Sequence, residues 1–282
     1  MKIALGTVQW GLDYGIANTS GMPSDEELKS IFLLAKKSGI FLFDTAVQYG
    51  DDEKKIGKFS FSKSKIITKV GSFSKGNSLG YQLENSLKNL RRESIYGCLF
   101  HNIDELNNDK GLWEELLEYK NESKIKKMGC SLYETTELLD LLEIGIVPDI
   151  VQVPYSILDR KFEPYFELLK EKGVEIHTRS VFLQGLYFKP INELDLIYDN
   201  LKQSLKAIQL IGKENNFSTL ELALCYVIQN KYIDYAVLGV ETSQQLVQII
   251  NASKQKLSQK TTDSIKSIKL ENQTMLNPVN WK

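Results

Sequence analysis

Short apolar runs recur along the whole chain. Between them lie longer stretches whose apolar residues repeat at helical spacing. The runs predict strands at 2–6, 40–43, 65–68, 96–100, 126–130, 149–153, 174–177 and 235–238. The first helix is predicted over 24–37, with Ser24 as N-cap, Glu27 completing a capping box and Gly39 just past its end. Its stripe is Leu28, Ile31, Phe32 and Ala35. Further helices are predicted at 53–59, 79–90, 112–121, 135–144, 162–172 and 243–252. A long helical region ends at 230 with a break near 215–218. Eight strands, each followed by helix, predict a closed (β/α)8 TIM barrel. An open doubly wound sheet would want a G-x-G-x-x-G phosphate loop after its first strand, and GTVQWG is not one. No linker-like tract interrupts the alternation, so residues 1–282 read as one domain. The polar tail, about 260–282, is expected to pack on one face of the barrel.

Composition narrows the partners. Hydrophobic residues are 42% and charged residues 25%, ordinary for a soluble domain, and the formal net charge is −1. No global field would draw nucleic acid or an anionic membrane. Cys98, Cys130 and Cys225 have no metal-type spacing, and their odd number fits a reducing compartment. The N-terminal apolar run is interrupted by Gly6 and Gln9, unlike a signal peptide, and no 18-residue apolar stretch exists for a membrane span. A soluble, cytoplasmic protein without a metal is expected.

Chemistry concentrates where strands end. In a (β/α)8 barrel the active site lies at the C-terminal ends of the strands. The stretch FDTAVQYG delivers Asp44 and Tyr49 there, ITKV delivers Lys69, and LFHN delivers His101. Each has an ordinary explanation alone: a turn acid, loop packing, a solvated lysine, a strand-end histidine. Together they place acid, phenol, ammonium and imidazole on neighbouring strands. An ammonium beside the phenol would favour the phenolate, and an aspartate would keep the ammonium charged. Tyr49 could then exchange a proton with an oxygen becoming an alkoxide, oriented by His101. Carbonyl reduction also needs a hydride, which implies a nicotinamide cofactor.

These residues resemble the aldo-keto reductase superfamily. The likeness runs from the first strand to about Asn251 and includes the terminal NPVNW. It implies a barrel that reduces a small-molecule aldehyde or ketone with NADPH or NADH and no metal. Tyr49 would be proton donor, Asp44 and Lys69 its tuning pair, and His101 the orienting group. Gly6 and Thr7 would line the cofactor, and Ser131 and Gln152 would bind the nicotinamide carboxamide. Arg179 would stack on the ring where relatives have an aromatic, and Leu132 stands where they have asparagine. Ser180, Leu183 and Gln184 would cradle the pyrophosphate with backbone N–H groups, and Phe182 and Gly185 would also touch the cofactor. Gly239, Glu241, Thr242 and Gln245 would meet the adenosine end, with a helix N-terminus facing phosphate. The superfamily favours NADPH, yet 239–245 holds no basic residue. Trp10, Tyr14 and Tyr155, with Tyr49 and His101, would line the substrate mouth. The opening LGTVQWGLDYGIAN resembles bacterial members of surface-sugar pathways, which suggests a sugar or nucleotide-sugar carbonyl. Two other readings are a non-catalytic, regulatory NAD(P)-binding barrel and an isomerase or aldolase on an unrelated barrel, using Lys69 as a Schiff base.

Overall fold

The structure, a computed structural model, describes residues 1–269, 273–277, 280 and 281. Its strands are β1 Ile3–Gly6, β2 Leu42–Asp44, β3 Lys65–Val70, β4 Ile95–Phe100, β5 Ile125–Ser131, β6 Ile150–Pro154, β7 Glu175–Arg179 and β8 Tyr235–Gly239. Each pairs in parallel with the next, and β1 with β8, so the sheet closes into the expected eight-stranded barrel. Parallel neighbours need a crossover, and the intervening helices supply it while covering the outer face. Inside, Ala4, Leu42, Ile67, Leu99 and Ile150 form a small plug, and the larger apolar core lies between strands and helices. Register decides which side chains reach the rim. Gly6 pairs with Asp44 and with Gly239, and Ser131 pairs with Gln152.

Local chemistry explains where expectation and structure part. Ser24 accepts the Glu27 N–H at 3.2 Å as predicted. The Glu27 carboxylate, however, does not return to Ser24; it accepts the N–H of Ser243, the first residue of the helix Ser243–Ala252. The N-terminus of this neighbouring helix, with its free N–H groups, is the better place for a negative charge. Pro164 starts 162–172 as a 3-10 turn, Glu163–Tyr165, before the helix Phe166–Glu171. The segment after β7 runs through three 3-10 turns before the helix Asp199–Asn215. That helix ends where predicted, at left-handed Asn216, and Ser218 with Glu221 caps Thr219–Ile228. The polar tail holds a helix of its own, Gln259–Lys266. Arg160 donates to the carbonyls of Lys266 at 2.9 Å and Ile268 at 3.0 Å. Trp281 meets Tyr198 edge-on at 5.4 Å. Pro278, Val279 and Lys282 of the NPVNWK ending lie outside the described residues. Among the described residues no helix is long and apolar enough to cross a membrane, and no His/Cys/Asp/Glu group could hold a metal ion.

Candidate active site

The site grows from a buried ion pair. Asp44 ends β2 and Lys69 lies one residue from the end of β3. Both side chains are buried, at 4% and 1% exposure, with Lys69 Nζ 2.5 Å from Asp44 Oδ1. Lys69 also donates to the Thr45 carbonyl at 3.0 Å, and Gln152 Nε2 donates to Asp44 Oδ2 at 2.7 Å. Two withdrawn charges are tolerable only when each finds an opposite charge and further hydrogen bonds. Here both carboxylate oxygens are occupied. The Gln152 contact joins β2 to β6 and has no signature in sequence.

Tyr49 reaches the pair on a loop that two glycines hold down. A Cβ on Gly11 would lie 1.8 Å from the Tyr49 carbonyl oxygen, and one on Gly50 (φ 67°) would lie 2.5 Å from the Gly11 carbonyl oxygen. The loop therefore packs backbone to backbone on the short helix Val8–Gly11. Lys69 Nζ sits 5.4 Å from the Tyr49 ring centre, and the His101 ring meets Tyr49 edge-on at 5.7 Å. The four residues are thus brought together. Their electrostatics differ from the expectation in one respect. The Tyr49 phenol is pushed up, not down, first by removal from solvent and then by the Asp44 carboxylate. The ammonium that should favour a phenolate is bound to Asp44 instead. His101 is lowered to about 3 by burial, then by Lys69 and Arg179. At neutral pH the site holds a neutral phenol beside a neutral imidazole, and the buried His101 Nδ1 has no protein partner.

A cavity of about 480 Å³ opens over these groups. Its wall includes Gly6, Thr7, Tyr14, Ser131, Gln152 and the segment after β7. Arg179 packs its guanidinium 4.1 Å from the centre of the Tyr133 ring and donates to the Leu132 carbonyl at 3.1 Å. Its buried Nε has no partner. Beyond it Ser180, Leu183, Gln184 and Gly185 all have positive φ, at 60°, 46°, 52° and 90°. Three non-glycine residues in the left-handed region store strain of the kind found at ligand clamps. Ser180, Phe182, Gln184 and Gly185 face the cavity. Leu183 does not: its side chain is in the core and its N–H is bound to the Ser180 carbonyl at 3.0 Å.

At the β8 end Gly239, Glu241 and Gln245 line the wall, but three N–H groups of the helix N-terminus, those of Thr242, Ser243 and Gln245, are already taken. Gln245 Oε1 accepts from the Glu241 N–H at 2.7 Å and the Thr242 N–H at 3.3 Å. Thr242 Oγ1 caps Gln245 N–H at 3.2 Å, turned away from the cavity wall, and Glu27 takes Ser243 N–H. The expectation of a helix end open to phosphate is corrected accordingly. Trp10 and Tyr155 are also corrected. Trp10 is fully buried against Phe32 and Phe43, with Nε1 donating to the Val240 carbonyl at 2.9 Å. Tyr155 stacks on Tyr226 and accepts from Asn230. Both rings fill core space. Sequence reasoning missed Gln9, Tyr133 and Phe188, which do line the cavity. Gln9 lies so close over Gly239 that a Cβ there would come within 2.2 Å of its Nε2, and its buried Oε1 is unpartnered. A glycine ending β8 was the one available signal.

A closed parallel barrel thus carries an Asp–Lys pair, a phenol and an imidazole beneath one rim cavity. The chain belongs to the aldo/keto reductase family, whose sequence profile matches residues 2–270. Protein tas of Escherichia coli is 26% identical over 176 residues, 55% of this chain and 51% of its own, so the chain spans about half the length of that relative. The NADH-specific methylglyoxal reductase of the same species is 28% identical over 214 residues, 66% of this chain and 64% of its own. The holo form of an aldo-keto reductase from Bacillus halodurans superposes with a TM-score of 0.77, covering 95% of this chain and 91% of that one. At 23% identity that likeness is one of fold.

Proposed function

We propose that this protein reduces a small aldehyde or ketone with NADH or NADPH, and that Tyr49 is the proton donor. The observation that carries the reading is the neutral Tyr49–His101 pair above the buried Asp44–Lys69 pair. A neutral phenol keeps its proton until an acceptor strong enough to take it appears. An oxygen becoming an alkoxide is such an acceptor, and the nearby ammonium then steadies the phenolate left behind. His101, held neutral, can donate one hydrogen bond to the same oxygen without competing as an acid. Asp44 and Gln152 fix the lysine and so the charge beneath the phenol.

The wall fits a dinucleotide. Arg179 Nε and Gln9 Oε1 are buried polar atoms without protein partners at two places along one cavity. Ser131 and Gln152 would hold the carboxamide, Arg179 the ring face, and the left-handed turn from Ser180 the diphosphate, through its backbone N–H groups other than those of Leu183 and Gly185, which the Ser180 and Phe182 carbonyls take. When bound, the coenzyme supplies the hydride. Glu241 lines the β8 end, and among the described residues the Lys and Arg side chains on the cavity wall are Lys69 and Arg179. A 2′-phosphate would meet an acid there and no cation, which favours NADH; one relative is named as NADH-specific. The sugar reading is weakened by the withdrawal of Trp10 and Tyr155 from the mouth, and a small carbonyl compound is the better match.

The test is absorbance of NADH and NADPH with generic aldehydes, repeated on Tyr49→Phe. Reduction should fall about 10²–10⁴-fold, the usual scale for general acid catalysis, while coenzyme quenches protein fluorescence as before. A variant that binds coenzyme and turns over near the wild-type rate would remove Tyr49 from the reaction. Coenzyme binding without any reduction in the wild type would leave the regulatory barrel as the better reading.

A further inference from the structure

We propose that Asp52 is a positioning residue of this site: its ionised carboxylate holds the Thr7 and Thr45 hydroxyls, and through them the strand ends that carry Asp44 and receive Lys69. The inference rests on the reductase reading for its kinetic consequence but not for its structural one.

Asp52 opens the helix Asp52–Phe59, is fully buried and does not touch the cavity. Thr7 follows β1 and Thr45 follows β2. Both hydroxyls donate to the same oxygen, Asp52 Oδ2, at 2.6 Å each. Those lengths are typical of a hydroxyl on an ionised carboxylate. Thr7 N–H also donates to the Asp44 carbonyl at 3.0 Å, and the Thr45 carbonyl accepts Lys69 Nζ at 3.0 Å. Asp52 is therefore one residue removed from each member of the ion pair. A neutral side chain of similar size would fill this space without burying a charge, so packing alone gives no reason for an acid.

The Thr7 hydroxyl is the element that can switch. It has one hydrogen and two acceptors in reach, Asp52 Oδ2 at 2.6 Å and the Asp44 carbonyl at 3.1 Å. An ionised Asp52 takes the hydrogen. A protonated one is the weaker acceptor, and Asp52 Oδ1, buried and without a partner, is where that proton would sit. Burial raises the Asp52 carboxyl to about 7, against the pull of the Thr45 and Thr7 hydroxyls. The Glu53 carboxylate on the same helix raises it further while the Glu53 backbone N–H lowers it, and that carboxylate is occupied by the Thr68 hydroxyl at 2.7 Å. From the other elements, Asp44, Lys69 and the Tyr49 phenol face this region, and Lys55 is bound to Asp51 and to the Trp10 carbonyl. The change between the two states thus falls in the neutral range.

The experiment follows aspartate carboxyl and lysine side-chain NMR resonances of the whole protein against pH. One aspartate should titrate near neutrality and be missing in Asp52→Asn. The Lys69 resonance should move with the same midpoint in the wild type and stay flat in the variant. If activity needs the ionised form, wild-type kcat/KM should fall about tenfold from pH ~8 to pH ~6, and Asp52→Asn should be flat at the lower level. Should that variant not fold, Thr45→Val removes one of the two donors, raising the Asp52 midpoint and moving the kinetic inflection upward with it. A Lys69 resonance indifferent to the Asp52 titration overturns the proposal, as does a wild-type inflection that survives in Asp52→Asn or a midpoint unmoved by Thr45→Val. A wild type with no reductase activity rejects the functional reading instead, and the NMR coupling still decides the positioning role.

Discussion

Each end of the barrel holds an ion pair, partly exposed at one end and buried at the other, and the two are finished differently. At the N-terminal end Glu175 opens β7 and receives Lys127 at 2.6 Å, Tyr96 OH at 2.8 Å and 3.0 Å to its two oxygens, and His177 Nε2 at 3.3 Å. At the C-terminal end Asp44 receives Lys69 and Gln152, but the groups around it are left unfinished. Gln9 Oε1, His101 Nδ1 and Arg179 Nε are buried there without partners, whereas the Glu175 cluster leaves one such atom, His177 Nδ1, away from the cavity. Gln9, His101 and Arg179 all line one cavity. A fold pays heavily for orphaned polar atoms in its interior. That several cluster at one rim separates a site built to receive a molecule from a pair built to close a barrel. The number of charges is not what distinguishes the ends; several unspent hydrogen bonds gathered on one cavity are.

The sharpest way to break this comparison is to remove the cation at each end. Lys69→Met strands a buried Asp44 and should destabilise by about 3–5 kcal/mol. Carbonyl reduction should fall at least about 10²-fold, because nothing then steadies the phenolate. Lys127→Met should cost only about 1 kcal/mol, since that pair is partly exposed and Glu175 retains Tyr96. Its kcat/KM should match the wild type. Thermal melts and aldehyde reduction on both variants decide the matter. Equal kinetic loss from the two would mean that the ends are not functionally distinct.

Sequence made the barrel legible because its strands are short apolar runs bounded by caps that act locally, such as Ser24, Ser218 and Thr242. It also placed Asp44, Tyr49, Lys69 and His101 on one rim, since Asp44, Lys69 and His101 are each the first strong polar group after an apolar run and Tyr49 lies in the loop after Asp44. What it could not show is which atoms satisfy one another across the barrel. Gln152 bound to Asp44, Glu27 capping a helix some two hundred residues later, and Asp52 beneath both threonines are all long-range choices. Trp10 and Tyr155 were misplaced for the same reason. An aromatic near a strand end can face the cavity or the helices, and only packing chooses. The direction of the Tyr49 shift was missed because burial, a tertiary quantity, outweighs the neighbouring ammonium.

Arg179 tests the unfinished end with a smaller effect. Its guanidinium already stacks on Tyr133, so its orientation is set before any ligand arrives. Arg179→Ala should weaken coenzyme binding by about 1–2 kcal/mol, roughly tenfold, if a cation on an aromatic face is lost. Fluorescence titration gives the dissociation constant directly. Arg179→Lys should recover little, because an ammonium cannot stack or fork in the same way. An unchanged constant in Arg179→Ala would make the residue a rim cation that merely pairs with the Leu132 carbonyl.

Glu175 tests the finished end, and its signature is pH rather than turnover. Burial alone would raise its carboxyl, but hydrogen bonds from His177, Lys127 and Tyr96 outweigh it and hold the group at about 2, against an ordinary 4.5. A depressed acid contributes stability above its unfolded value, and that contribution is lost as pH falls through the folded one. The window is therefore from about pH 4.5 down to about pH 2. After discounting for partial exposure, the contribution is on the order of 2 kcal/mol at neutral pH. Glu175→Gln should then melt about 3–6 °C lower at pH ~7, for a chain of this length. Near pH 2 the glutamate is protonated and the two proteins should converge. Aldehyde reduction at neutral pH should be unaffected, since Glu175 lies at the opposite end of the barrel from the cavity. A stability difference that persists at the lowest pH would assign the loss to packing around Tyr96 and His177. A loss of reduction without a loss of stability would mean that the closed end is wired to the open one.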